Sequence, residues 1–175
     1  MNINFYTSYF YQIRNFSKNT IPLSTARWDP IWYHANTRND NFTFIDKRGI
    51  TNGLKFNLFI PNDFEKEAFK KNIDFKPCGK NCKMTVDNCD FMREYRNQLS
   101  NIKFEDFEKE IKNILNKEIV LNNAIKEAIY NFENNLNICF IVFESSNNPC
   151  SERIPIQEFF FKNGKDIKEW NKNNI

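Results

Sequence analysis

The stretch "NICFIVFES", residues 137–145, decides the fold. Its core, residues 138–143, is apolar at every position, so both faces of an extended chain would be apolar. Such a run belongs to a parallel strand covered on both sides. It is followed by "NNPCSERIPIQEFF", residues 147–160, where Pro155 marks the first turn of a helix: a proline there gives up an N–H that the helix does not use. Ser151 is the expected N-cap. Gly164, after "RIPIQEFFFKN", is a natural C′ residue.

Working outward, "NINFYTSYF" reads as a first strand ending near residues 6–8. "YFYQIRNF" then carries Phe10, Ile13 and Phe16 at helical spacing, and "NTIPLSTARWDP" gives a second strand from Ile21 to about Thr25. Strand, short helix and strand open a βαβ unit. Residues 34–57 are polar and suggest loops with a short hairpin. "LKFNLFIP" reads as a strand and "NDFEKEAFKKN" as a helix capped by Asn62 or Asp63. "CDFMREYRNQL", "FEDFEKEIKNILNKEI" and "LNNAIKEAIYNFENN" are amphipathic helices, and "KDIKEWNKN" is an edge strand or a tail. The alternation predicts a single α/β domain over residues 1–175. Its sheet is mainly parallel and flanked by helices, and a helical insertion at about 62–118 carries cysteines.

Composition narrows the classes. Of 175 residues 41% are hydrophobic and 16% aromatic, which excludes a disordered chain; a net charge of +3 allows nucleic-acid binding without implying it. The start lacks the pattern of a secretory signal, and no run approaches the ~18 apolar residues of a membrane span. A cytoplasmic location with reduced thiols and no membrane partner is therefore expected. The four glycines, Gly49, Gly53, Gly79 and Gly164, form neither a dinucleotide fingerprint nor a P-loop, so neither an NAD nor a P-loop nucleotide signature is present.

Ligands of open α/β sheets bind beyond the carboxyl ends of the strands. Three polar groups fall there: Glu144 after the buried strand, Cys150, Ser151 and Arg153 at the helix mouth, and Arg27 after the second strand. Tyr6 and Ser8 at the end of the first strand are expected on the same rim. Free N–H groups and the positive end of a helix favour an anion, and the same field lowers a thiol pKa. The site expected from these residues takes a small anionic ligand, phosphate-bearing and in one form a nucleotide. Cys150, Glu144 and Arg153 are its catalytic candidates, and Arg27, Ser151, Tyr6 and Ser8 its binding groups. The alternative is a non-catalytic module that senses a nucleotide or grips nucleic acid. The structural counter-reading is that Ser151 only caps, Arg153 only pairs with Glu144 or Glu152, and Cys150 only fills space.

"KPCGKNCKMTVDNCD" contains Cys78, Cys82 and Cys89 in C-x3-C-x6-C spacing. Three thiols could hold a structural zinc if Cys139, Cys150 or His34 supplied a fourth ligand. An iron–sulfur centre and free thiols are the other readings. His34, the single histidine, is either catalytic or a packing residue, and Trp28 and Trp32 in "RWDPIWYH" either stack bases or belong to the core.

The start "FYTSYF…IPLSTARWDP", with Arg27 and Pro30, and the close in Glu144, Cys150 and Arg153 before a helix resemble the domain-of-unknown-function 488 family. Members of that family carry a Cys-His-Arg turn; here Ser151-Glu152 stands in place of the histidine. The resemblance implies a Rossmann-like α/β fold with this rim as its site, and implies no substrate.

Overall fold

A computed structural model describes residues 3–36, 42–79, 82–121 and 136–170. Four parallel strands form the sheet: β1 (Ile3–Tyr9), β2 (Thr20–Ser24), β5 (Leu136–Val142) and β6 (Lys168–Glu169), in the order β2-β5-β1-β6. A two-strand antiparallel hairpin, β3 (Phe44–Ile45) and β4 (Thr51–Asn52), forms a second sheet whose β4 lies against β2. Gly53 follows the hairpin at φ +89, where a Cβ would meet the Phe42 carbonyl oxygen at 2.1 Å.

β5 fills the centre, and all seven of its residues are buried. Ile138, Phe140 and Val142 face a large cluster that includes Phe56, Phe59, Tyr95, Phe107, Phe159 and Phe160. Cys139 and Ile141 face a second cluster with Phe10, Ile13, Tyr33 and Trp170. A run with no polar face therefore has cover on both sides, as its composition requires.

Among the described residues four α-helices cover the first face: α1 (Phe64–Lys70), α2 (Asp90–Ser100), α3 (Phe104–Leu121) and α4 (Arg153–Lys162). Asp63 caps α1 by accepting from the Lys66 N–H. α2 buries Met92, Tyr95 and Leu99, and α3 buries Phe107, Ile111 and Leu115, each set at helical spacing. α4 ends in a Schellman arrangement: Lys165 N–H donates to the Phe160 carbonyl and Gly164, at φ +66, to that of Phe161. The opposite face is covered by a 3-10 turn, Phe10–Asn15, and by the segment after β2.

Two expectations need correction. "LKFNLFIP" is not a strand. Lys55 makes one bridge to Ser24, and the chain then coils through a 3-10 turn at Asn57–Phe59. Phe56 and Phe59, three apart and both fully buried, turn inward together, which an extended chain would forbid. The first strand also runs on to Tyr9, so Tyr6 and Ser8 lie within the sheet, paired with Cys139 and Ile141, and not on its rim. The helix expected at "LNNAIKEAIYNFENN" lies, beyond Leu121, outside the described residues. Among the described residues no helix is long and apolar enough to cross a membrane.

Candidate functional site

The carboxyl ends of β2 and β5 are neighbours, and their chains leave toward opposite faces of the sheet. After β2 the chain passes Ala26 and Tyr33 into the second cluster; after β5 it turns through 143–152 into α4, which packs on the first. Such a parting opens a crevice. Here it is a cleft of about 390 Å³, lined on one side by Arg27 and Trp28 and on the other by Phe143, Glu144 and Glu152. Cys78 and Cys150 form part of its wall.

That wall is a thiol centre. Cys89 is the N-cap residue of α2, and Cys150 stands just before α4. The two helices pack together, tied by Arg96, whose Nε and Nη2 donate to the Glu158 carboxylate at 2.7 and 2.9 Å. Their N-terminal ends, and with them the two cysteines, are thereby held side by side. Asp90 accepts from the Lys76 N–H at 2.9 Å and fixes the chain that delivers Cys78. A turn closed by Cys82 N–H on the Gly79 carbonyl brings in the fourth thiol. The result is four Sγ atoms, of Cys78, Cys82, Cys89 and Cys150, all within 4.8 Å of one another. Val86, Met92 and Ile154 shield them.

No disulfide joins the four. Cys78 and Cys150 are 3.4 Å apart, far beyond the ~2.05 Å of a sulfur–sulfur bond. Four thiolates around one tetrahedral ion at about 2.3 Å would stand roughly 3.8 Å from each other. The donor set therefore fits a single metal ion. It is too tight for a cluster of several irons, which spreads its thiolates farther. Of the three sequence candidates for a fourth ligand, Cys150 takes the place; Cys139 is buried in β5 and His34 lies elsewhere.

The expectation of an acidified Cys150 is reversed. Burial, then the neighbouring thiols of Cys82, Cys78 and Cys89, push it well above its ordinary range. Burial likewise pushes Cys78 up to about 12. Burial opposes ionisation of Cys82 too, yet the Met84 N–H and the other three thiols together bring it below its usual value.

Arg153 also departs from expectation. Its side chain is 6% exposed and turned away from the cleft. Nε donates to Ser151 Oγ at 3.1 Å, Nη2 donates to the carbonyls of Ser145 and Ser146 at 3.1 and 2.9 Å, and Nη1 pairs with Glu169. A fork so engaged fixes the 145–146 loop and the edge strand and has little left for an anion. Ser151, fully buried, accepts from this side chain and from the Arg153 N–H. Arg27 is the expected cation that does reach the cleft; it is partly exposed and lies 3.3 Å from Asp63.

Three carboxylates line the cleft: Glu65, which is exposed, and Glu144 and Glu152, which reach inward. Oε2 of each of the latter two is buried without a hydrogen-bond partner. Burial raises the pKa of both; Glu144 raises that of Glu152 further, Arg27 acts against it, and Arg153 acts against the shift of Glu144. Glu152 had no chemical role in the sequence reading, and no spacing rule would have pointed to it.

His34 belongs to a separate polar cluster. Its Nε2 lies 2.6 Å from Asp29 Oδ2, Lys55 Nζ lies 3.2 Å from the same oxygen, and Ser24 Oγ donates to Oδ1. His34 Nδ1 is 3.3 Å from the Phe42 carbonyl. Asp29 was not singled out from sequence, because nothing in "RWDP" announces a carboxylate that gathers three partners.

Fold and site together define a mixed α/β protein with a four-strand parallel sheet and a four-thiol centre at its carboxyl edge. No family model, no curated protein and no solved structure matches the chain.

Proposed function

We propose that Cys78, Cys82, Cys89 and Cys150 hold a structural Zn²⁺ and that the cleft beside them binds a small phosphate-bearing ligand. Four thiolates fill every position of a tetrahedral ion and leave none for substrate, so the metal braces the site instead of performing chemistry. When bound it supplies a crosslink between the 78–89 segment and the start of α4. Cys150 is then a ligand and not a nucleophile.

The observation that carries the binding reading is the pair of orphan carboxyl oxygens on Glu144 and Glu152, two residues that line one cleft with Arg27. Buried polar atoms in native proteins have partners, and an orphan pair in a cavity calls for donors from a ligand. Arg27 supplies the cation for an anionic group. In the enzyme reading Glu144 is the acid or base, since burial shifts its pKa upward from the ordinary carboxyl value. In the sensing alternative the same contacts bind without turnover, and product formation separates the two. A Rossmann-like fold with a helical insertion at 62–118, and kinship with the domain-of-unknown-function 488 family, belong to the same proposal.

Ribose 5-phosphate tests it. Saturating ligand should raise the melting temperature of the native chain and fail to do so in Arg27→Ala. An equal rise in both, or none in the native chain, would defeat the reading.

A further inference from the structure

Each strand end delivers a charged and an aromatic side chain to the cleft as neighbours: Arg27 with Trp28 after β2, and Glu144 with Phe143 after β5. The two aromatics are not core. Trp28 is 75% exposed and Phe143 55%. Phe143 is held in place from behind, its ring 6.1 Å from that of buried Phe10, which also stands 6.1 Å from Trp32, itself 44% exposed. The expectation that "RWDPIWYH" packs inside holds for Tyr33 alone among its aromatics.

Large aromatic faces left in water cost solvation and mark binding surfaces when they flank a pocket. Here they flank buried acceptors. Glu152, 8% exposed, carries one of the orphan oxygens and lines the same cleft. A ligand that satisfies all of these groups must offer a flat apolar face, N–H or O–H donors and an anionic group, within a cleft of about 390 Å³. We propose that the ligand is a nucleoside 5′-monophosphate: its base stacks on Trp28 and Phe143, its amino or hydroxyl groups donate to Glu144 and Glu152, and its phosphate meets Arg27. This rests on the cleft reading above and adds the base to it. Stacking on an aromatic side chain is tolerant of base identity, so the carboxyl groups carry what discrimination there is.

Isothermal titration of the full chain with the four ribonucleoside 5′-monophosphates and with ribose 5-phosphate tests the base contact. At least one nucleotide should bind about tenfold or more tightly than ribose 5-phosphate. Trp28→Ala and Phe143→Ala should each raise its Kd roughly 5- to 150-fold and leave ribose 5-phosphate binding and the melting temperature unchanged. Arg27→Ala should weaken both ligands. If ribose 5-phosphate binds as well as every nucleotide, and in an Arg27-dependent way, the stacking inference fails while the cleft reading stands. If neither class binds, both fall. A short single-stranded RNA that binds far more tightly than any monophosphate, with steep salt dependence, would overturn the mononucleotide in favour of a polymer.

Discussion

Two polar clusters sit at the carboxyl edge of the same sheet, one after β2 and one after β5, and they differ in one respect. Around Asp29 the carboxylate is met by Ser24, His34 and Lys55, and its side chain is wholly shielded from water. Around Glu144 and Glu152 two carboxyl oxygens have no partner. A buried polar group that is fully met holds a fold together; one that is not met is a cost the fold carries for another purpose. On our proposal the first cluster serves the architecture and the second the ligand.

The largest expected effect lies beside the second cluster. Chelation of the metal, or Cys89→Ser, should produce a cooperative loss of structure in the 78–89 segment and the start of α4. Metal binding is folding free energy, on the order of 10 kcal/mol for small zinc sites at neutral pH. Thermal melts with and without chelator read this directly, and an unchanged melt would leave the four thiols without a structural role.

Next, Asp29→Ala should cost roughly 3–5 kcal/mol, because it strips a buried ammonium and an imidazole of their shared acceptor. Denaturant titration measures it, and ligand affinity at fixed folded fraction should not move. Glu152→Gln should show the opposite pattern: stability equal to or above the native value, since an acid whose ionisation burial opposes gives way to an amide that cannot ionise, and ligand affinity lost. Similar destabilisation in both variants would erase the distinction between the clusters.

The smallest effect is a pH slope. Burial raises the Glu144 pKa in the folded chain above its unfolded value of about 4.3. The folded state therefore binds the proton more tightly. The associated stability is complete below the unfolded pKa and is lost as pH rises through the folded one. Melts of the native chain and Glu144→Gln, compared at each pH, should show the native chain losing ground from about pH 4.5 upward. A constant difference would mean that Glu144 is not buried as described.

The sheet was legible because β5 has no polar face and its neighbours do not need one. The helices were legible through the spacing of Met92, Tyr95 and Leu99 and of Phe107, Ile111 and Leu115. The C-x3-C-x6-C segment announced three thiols of the centre, and the fourth member could be narrowed to three residues. Choosing Cys150 needed the packing of α2 on α4, which no local pattern encodes. Arg153 misled for a related reason. A helix-mouth arginine looks like an anion fork until the carbonyls of Ser145 and Ser146 and the Glu169 carboxylate are seen to occupy it. Those partners lie on a loop and on an edge strand whose positions only the folded chain fixes.

On our proposal four cysteines from two segments hold one metal ion, and two of them, Cys78 and Cys150, form part of the wall of the cleft. Native mass spectrometry of freshly purified protein, beside the same sample denatured, tests it most directly. The account predicts an excess mass of one zinc ion per chain, lost on denaturation and absent in Cys150→Ser. A metal-free native mass, with all four thiols open to alkylation in the folded chain, would contradict it.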